Sequence, residues 1–251
     1  MGWLFGKKRS EPEPILAQRT PKDEERLGPV PPPPPTAHPP GLSVHAFRGG
    51  GPGVSLLAER SASRPGRTLV LESGERSAGL DGAASAGVAG LALAEARVIS
   101  GDRDLSLAAG DVLFAAPGAG LTLVGGTAAS ALLLDVSPAP RAAGAVHVRR
   151  DDLVGRGFVG VTGIRALHAT ASSLAVRLGP PPGARWVLVG LRAFAVFHGK
   201  LVLVDRDEAR EVRAGEIGVV SDPTATLYLS AGNDGALALG FASPELVVAL
   251  G

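Results

Sequence analysis

One spacing recurs along this sequence and constrains its fold more than any other feature. Residues 109–114 align with residues 214–219 at an offset of 105. Without a gap, the same offset aligns Leu69 with Leu174 and residues 131–134 with residues 236–239. A single offset over so long a stretch predicts two copies of one structural unit, each of about 100 residues.

Each copy is built from short apolar runs that turn residues interrupt. In the first copy the runs include residues 68–72, 112–115 and 132–136, with turn residues such as those at 100–102 between them. This pattern predicts β-strands. Because 35 glycines and 21 prolines interrupt the chain, we expect few long helices. We therefore predict an all-β chain with two antiparallel units of the jelly-roll type.

Composition excludes several classes of function. The chain has no cysteine, which excludes disulfides, thiolate zinc sites, iron–sulfur clusters and cysteine nucleophiles. Because 25 basic residues nearly balance 24 acidic ones, we expect no nucleic-acid partner. No apolar run approaches the roughly 18 residues of a membrane span. Apolar residues precede the first basic ones, opposite to a secretory signal, so we expect a cytoplasmic protein.

The first 41 residues mix charges with prolines, ending in residues 31–35, and this composition predicts a disordered tail with a stiff polyproline spacer. Three bulky apolar residues and three basic ones stand at its start: Trp3, Leu4, Phe5, Lys7, Lys8 and Arg9. These residues predict a docking peptide for a protein, or a weak contact with a membrane surface. The alternative is an unstructured start with incidental apolar residues.

A motif in the first copy resembles the second motif of the cupin superfamily, usually written G-(x)5-P-x-G-(x)2-H-(x)3-N. Gly110, Pro117 and Gly118 keep the frame and its turn. The position of the metal-binding histidine holds Leu121 in this copy and Thr226 in the second. The resemblance implies that each copy is a cupin barrel and that its second motif has lost its metal ligand.

The first cupin motif, G-(x)5-H-x-H-(x)3 or 4-E-(x)6-G, can be anchored on Gly199 as its last glycine. Its glutamate position then holds Arg192, and the offset of 105 gives Gly87 in the first copy. The two histidine positions fall on residues 185 and 187 or on 186 and 188, and in the first copy on 80 and 82 or on 81 and 83. Since no pair supplies metal ligands, we expect no metal and no other cofactor.

The resemblance defines a domain organisation of three parts. Residues 1–41 form the tail, residues 42–140 a first cupin-like barrel, and residues 141–251 a linker followed by a second cupin-like barrel. Cupin barrels often self-associate through sheet edges, so the resemblance is also compatible with a homodimer.

A cluster of cationic and aromatic residues in the second copy suggests a ligand site. Its members are Arg177, Arg185, Trp186, Arg192 and Thr226. If the arginines point inward, they form an anion receptor with an aromatic wall and a hydroxyl partner. The alternative places the arginines on the outer surface and packs Trp186 between the two units.

These observations favour a metal-free bicupin without enzymatic activity that serves as a protein-interaction or scaffolding module. Its protein partner, which the sequence does not identify, would bind the tail or a barrel surface. The first alternative is a sensor or carrier of an anionic metabolite or sugar. The second is a metal-independent isomerase or epimerase, although the sequence identifies no catalytic residue for it.

Overall fold

A computed structural model describes residues 42–46, 52–60, 66–80, 86–138, 146–148, 156–158, 161–205 and 208–251. All of them belong to one compact unit, Pro39–Gly251. The tail and its docking segment lie outside the described residues. Every regular element in the described ranges is a β-strand, which confirms the predicted all-β class. A search of the same ranges for a helix able to cross a membrane finds none.

The described residues form eighteen strands. The first eleven are β1 (Leu42–Ala46), β2 (Gly53–Glu59), β3 (Arg67–Ser73), β4 (Ala78–Leu80), β5 (Ala86–Ala92), β6 (Ala96–Ser100), β7 (Arg103–Leu107), β8 (Val112–Ala115), β9 (Leu121–Leu123), β10 (Ser130–Pro138) and β11 (Val146–Val148). The other seven are β12 (Arg156–Phe158), β13 (Val161–Ala169), β14 (Leu174–Leu178), β15 (Arg185–Asp205), β16 (Glu208–Arg213), β17 (Glu216–Val220) and β18 (Leu227–Leu250).

The strands form three antiparallel sheets. We call residues 52–138 the N-terminal half and residues 156–251 the C-terminal half. The strands of the N-terminal half, β2–β10, lie in a six-stranded sheet, β11-β8-β5-β10-β3-β2, and a four-stranded sheet, β4-β9-β6-β7. The C-terminal half forms an eight-stranded sheet, β1-β17-β15-β18-β14-β13-β12, with β16 paired to β15. In this sheet the long strands β15 and β18 bend and pair with each other in several separate stretches.

Equivalent strands pair in the same way in both halves. β5 lies between β8 and β10, just as β15 lies between β17 and β18. The offset of 105 does not hold in the last strand, however. Leu69 pairs with Leu134. Its repeat partner Leu174 pairs with Ala242, which lies three residues beyond Leu239, the residue that the offset aligns with Leu134. The alignment of residues 131–134 with 236–239 was therefore wrong, because an odd shift inverts the two faces of a strand.

Strand pairing crosses the predicted domain boundaries in both directions. β1, which was assigned to the first barrel, pairs with β17 in the C-terminal half. β11, which was assigned to the linker of the second barrel, pairs with β8 in the N-terminal half. The boundaries at residues 41 and 140 remain predictions, but the two halves share edge strands.

Successive side chains of a strand point to opposite faces of the sheet, so the buried residues fall into three separate cores. In β3, Leu69 and Leu71 face an aliphatic core inside the N-terminal half, while Val70 faces the opposite way. The C-terminal half has its own core, which includes Trp186 and Phe194. The third core, which includes Val70, lies between the two large sheets and joins the halves.

The two interiors achieve close packing with opposite arrangements of large and small residues. In the N-terminal half, Gly90 lies opposite Leu113 and Leu134. In the C-terminal half, Phe194 holds the place of Gly90 and lies opposite Gly218 and Gly240. A methyl group added to Gly218 would come within 2.3 Å of the Phe194 ring. Both interiors are therefore filled by side chains.

Candidate functional site

The histidine positions of the first cupin motif hold apolar residues that face the interiors. Trp186 and Leu188 lie in the core of the C-terminal half, opposite Leu229 and Leu227. In the N-terminal half, Ala78 and Leu80 make the equivalent pairs with Leu123 and Leu121 and contact that core. Ala78 and Leu80 therefore take the two histidine places in the first copy. The nearer of the two predicted pairs, residues 80 and 82, lies two residues further along the chain. Of the residues predicted there, those at 81–83 lie outside the described ranges.

The histidine position of the second motif also differs from the sequence prediction in one half. Leu121 is buried in the interior of the N-terminal half, as its place in the motif requires. Thr226 is exposed and precedes β18, so it was the wrong residue for the second copy. Leu227 takes the interior place there, because it lies opposite Leu188 as Leu121 lies opposite Leu80.

The glutamate position of the first motif does not face the interior of the C-terminal half. The register of β15 shifts between Leu191, opposite Ala242, and Ala193, opposite Phe241. Arg192 is thus an extra residue in a β-bulge, and a bulge redirects a side chain. Its guanidinium leaves the interior and reaches β10 of the N-terminal half.

In the N-terminal half the equivalent of Arg192 is Val88 and not the predicted Gly87. Ala89 lies opposite Phe114, and Ala193 lies opposite Val219, which is the repeat partner of Phe114. The residue before Ala89 therefore corresponds to Arg192. Val88 is buried in the aliphatic core.

These positions do not fit a metal ion. A cupin metal site resembles three imidazoles and a carboxylate inside one barrel, and the inward places hold Ala78, Leu80, Val88 and Leu121 in one half and Trp186, Leu188 and Leu227 in the other. Within the described ranges, no group of three or more His, Cys, Asp or Glu side chains is placed to hold an ion. His198 is exposed, and the ring of His168 lies 4.7 Å from that of Phe114.

The predicted ligand cluster is not brought together. Trp186 is 1% exposed in the core of the C-terminal half, so it neither walls a pocket nor packs between the halves. Arg177, Arg185 and Thr226 are exposed on the surface. Arg192 lies apart from all four, at the junction of the two halves. The cluster was therefore wrong as one site, and Arg192 alone belongs to a buried polar group.

That group is an ion cluster, which we call the ionic junction, formed by Arg60, Asp135 and Arg192. Arg60 Nη1 donates to Asp135 Oδ1 over 2.6 Å, and Arg192 Nη1 donates to Asp135 Oδ2 over 2.7 Å. The Asp135 carboxylate is fully buried, and the two guanidinium groups hold one oxygen each. Because Asp135 and Arg192 come from different halves, the ionic junction connects them.

Further hydrogen bonds satisfy most of the remaining donors. Arg60 Nη2 donates to the Ser137 hydroxyl over 2.6 Å and to the Val136 carbonyl over 3.0 Å. Arg192 Nη1 also donates to the Ser172 carbonyl over 2.7 Å. Burial lowers the pKa of Arg60, and the charge of Asp135 opposes that effect while Arg192 adds to it. Buried charges persist only with partners of this kind.

The sequence carried one signal for this cluster that our prediction did not use. Asp135 follows three consecutive leucines, residues 132–134, in a strand that is otherwise apolar. A carboxylate in a buried strand needs a cationic partner, and this argument would have directed attention to Asp135. It would not have identified Arg60 or Arg192 as the partners, because both are distant in sequence.

A cavity of about 300 Å³ opens beside the ionic junction. Its lining includes Ser137, Ser172, Arg192, Ser243 and Glu245. Arg192 Nε is buried there and has no hydrogen-bond partner. The cavity therefore combines a cationic group, hydroxyl groups and, at its exposed margin, a carboxylate.

Comparison with solved structures identifies the fold. The chain is similar to a cupin 2 conserved barrel domain protein from Leptotrichia buccalis, with a TM-score of 0.53 and 10% identity over 76% of this chain and 88% of that one. It is also similar to protein Ylba from E. coli, with a TM-score of 0.58 and 10% identity over 82% and 85%. A salicylate 1,2-dioxygenase from Pseudaminobacter salicylatoxidans gives a TM-score of 0.55 and 13% identity over 74% of both chains.

The chain therefore has the cupin fold, and the predicted resemblance is confirmed at the level of the fold. No protein-family model and no curated protein sequence matches the chain. At such low identity the solved structures define the architecture alone, so function has to be argued from the residues of this chain.

Proposed function

We propose that this protein is a non-catalytic member of the cupin fold that acts as a protein-interaction module through its surface. One observation carries the proposal: the inward places that supply metal ligands in cupins are apolar in both halves. Arg192, at the glutamate place of the C-terminal half, turns outward and pairs with Asp135.

The packing of the interiors supports the same proposal. Trp186 and Phe194 are among the largest fully buried side chains and fill the interior of the C-terminal half, and Leu121 and Leu132 fill that of the N-terminal half. Removing a large buried aromatic side chain typically costs about 3–5 kcal/mol, so converting an interior into a ligand cavity would be expensive. A surface role requires no such change.

Metal analysis tests this proposal directly. The full chain is purified without chelator, incubated with iron, manganese or nickel, desalted, and analysed by mass spectrometry for bound metal. We expect far less than one ion per chain. One tightly held ion per chain that disappears in a His198→Asn variant would overturn the proposal, because it would show a site that uses one of the few histidines.

The N-terminal segment with Trp3, Leu4 and Phe5 is proposed as a second contact of this module. Its three apolar and three basic residues suit an anionic membrane surface or an acidic groove on a protein. Cosedimentation of the full chain and of a chain lacking residues 1–9 with anionic vesicles tests the membrane version. Equal amounts of both chains in the pellet would exclude it.

A second candidate function, binding of a small anion, is favoured by the cavity beside the ionic junction. Its Arg192 Nε is a buried donor without a partner, and about 300 Å³ suits a small carboxylate or phosphate. In a thermal-shift screen of such compounds, a ligand at 100 times its dissociation constant stabilises by about 2.7 kcal/mol. We expect the shift in the parent chain and in Arg177→Gln, and its loss in Arg192→Gln. No shift in the parent chain would exclude this function.

A further inference from the structure

The charges of the ionic junction do not balance. Two guanidinium groups, those of Arg60 and Arg192, share the single carboxylate of Asp135. The side chain of Arg192 is only 12% exposed and that of Arg60 is 2% exposed, so solvent screens the remaining positive charge poorly. Burial and the repulsion of Arg192 both lower the pKa of Arg60, and Asp135 offsets this only in part. The ionic junction is therefore one negative charge short of neutrality.

The unused donors of Arg192 form one edge of its guanidinium group. Its hydrogen bonds within the described ranges all leave from Nη1, to Asp135 Oδ2, the Ser137 hydroxyl and the Ser172 carbonyl. Arg192 Nε is buried without a partner. In a guanidinium group the Nε–H and one Nη2–H point in the same direction, and two parallel donors of this kind match the two oxygens of a carboxylate. The edge that remains is thus one that can bind a carboxylate in a bidentate manner.

The cavity beside the ionic junction is small, and its lining is partly apolar. Its volume is about 300 Å³, at the lower end of the roughly 300 to 1,000 Å³ of small-molecule pockets. Both halves contribute to the lining, since Pro138 follows from β10 and Ala171 and Pro244 belong to the C-terminal half. These three residues give the cavity an apolar wall beside Arg192 and the hydroxyl group of Ser243. The cavity therefore suits a small compound with a charged end and an apolar body.

The internal repeat shows where a second carboxylate is missing. The strand register that makes Leu134 equivalent to Ala242 also makes the next residues, Asp135 and Ser243, equivalent. Both of these polar residues are buried. Asp135 supplies a carboxylate to the ionic junction, whereas Ser243, which lines the cavity together with Arg192, supplies only a hydroxyl group. An anion in the cavity would take the place of the carboxylate that the C-terminal half lacks.

Glu245 also lines the cavity, but it does not replace this carboxylate. It lies at the exposed margin, where solvent screens its charge, and any remaining repulsion opposes a dianion more than a monoanion. The Ser243 hydroxyl accepts a hydrogen bond from the Glu245 N–H over 3.3 Å. Because this bond uses a lone pair of the oxygen, the hydroxyl can still donate its proton to an anion in the cavity.

We propose that the cavity beside the ionic junction binds a small monocarboxylate with an apolar body. The inference rests on the second candidate function, the binding of a small anion, and names the class of that anion. A single negative charge neutralises the ionic junction, whereas a phosphate group carries about 1.5 to 2 negative charges at pH 7 and exceeds it. The carboxylate would lie on the Nε–Nη2 edge of Arg192, and its apolar body would contact Pro138 and Pro244.

Three compounds with the same propyl group and different head groups test the class of ligand. Butyrate carries one negative charge, butyramide has nearly the same shape and no charge, and propyl phosphate carries a larger charge on a tetrahedral group. Isothermal titration of the full chain at pH 7.5 measures the dissociation constant of each compound. We expect butyrate to bind at least tenfold more tightly than either of the other two.

A substitution at Ser243 can supply the missing carboxylate from the chain itself. Ser243→Asp places a negative charge beside Arg192, and Ser243→Asn is the neutral control of the same shape. Both side chains can still accept the hydrogen bond from the Glu245 N–H. We expect Ser243→Asp to unfold at a higher temperature than Ser243→Asn and to bind no butyrate. A Ser243→Asp variant that is no more stable than Ser243→Asn would overturn the argument that the ionic junction lacks a negative charge.

A substitution at Arg192 tests the bidentate edge separately from the charge. Arg192→Lys keeps a positive charge for Asp135, but an ammonium group has no pair of parallel donors in a fixed plane. We expect it to weaken butyrate binding at least tenfold. Arg177→Lys, at an exposed position outside the cavity, serves as the matched control and should bind butyrate like the parent chain. If Arg192→Lys fails to fold by circular dichroism, the two Ser243 variants decide.

The outcomes separate this inference from the function on which it rests. If none of the three compounds binds, both the carboxylate and anion binding in the cavity are refuted. If propyl phosphate binds as tightly as butyrate, anion binding stands and the carboxylate class is overturned. Equal binding of butyramide would show that the charge is not recognised and would refute both. Butyrate binding that is unchanged in Arg192→Lys and Ser243→Asp would also overturn the inference, because the ligand would then occupy another place.

Discussion

At the scale of single residues, the ionic junction shows how a charge can be held inside a β-protein. Asp135 lies on the face of β10 that contributes Leu133 to the core between the sheets. Its carboxylate is fully buried and is neutralised by two guanidinium groups, those of Arg60, which follows β2, and of Arg192 in β15. The arrangement depends on the β-bulge at Arg192, since a regular strand would direct that side chain into the interior of the C-terminal half.

Removing the carboxylate should therefore destabilise the protein strongly. Asp135→Ala leaves two buried cations without their shared partner, and loss of one member of a buried ion group typically costs about 3–5 kcal/mol. Urea unfolding of Asp135→Ala and of the parent chain measures this difference. Asp104→Ala removes the exposed ion pair with Arg97 and serves as a control, with a much smaller expected loss because solvent screens an exposed pair. Equal losses in both variants would contradict the structural role of the ionic junction.

At the scale of strands, faces and registers decide which residues meet, and here the sequence was only a partial guide. Turn residues and the repeat predicted the strands, and the resemblance to the cupin motifs predicted the fold. The sequence does not show bulges, and a shift of one residue inverts a strand. That is why Thr226 was chosen in place of Leu227, and why the direction of the Arg192 side chain was left open.

The exchange of large and small residues between the two interiors predicts a compensating pair of substitutions. Gly218→Ala alone should destabilise, because its methyl group would lie 2.3 Å from the Phe194 ring, and overpacking typically costs about 1–3 kcal/mol. In a Phe194→Leu background the same substitution should cost much less. A double-mutant cycle from chemical unfolding measures the coupling. Strictly additive effects would show that the two residues do not share this space.

Strand β1 provides a pH-dependent element. Burial lowers the pKa of His45 below its ordinary value, and the Ser43 hydroxyl lies 2.9 Å from His45 Nε2. The unfolded chain therefore binds a proton more readily than the folded chain. The contribution of His45 to the free energy of unfolding is complete above pH ~6.5 and is lost as the pH falls below that value. Melting temperatures between pH 7.5 and 5.5 should fall less in His45→Asn than in the parent chain. An equal fall in both chains would show that His45 does not contribute to the pH dependence.

At the scale of the whole molecule, shared edge strands make the two halves parts of one structure. β1 lies at the edge of the eight-stranded sheet, where residues 42–46 pair with β17 and Leu42 is 2% exposed in the core of the C-terminal half. The repeat predicted two units, but it did not predict that β1 and β11 pair across the boundaries between them. Edge pairing depends on the path of the chain and not on the composition of a strand.

The shared edge strand leads to a sharp difference between two truncations. A chain that lacks residues 1–41 keeps every pair between β1 and β17, so it should unfold at nearly the temperature of the full chain. A chain that lacks residues 1–46 loses Leu42 from a core and exposes the edge of β17, which should lower the melting temperature by several degrees and promote aggregation. Differential scanning calorimetry with light scattering compares the two. If they unfold alike, β1 does not stabilise the C-terminal half, and the boundary at residue 41 has no structural meaning.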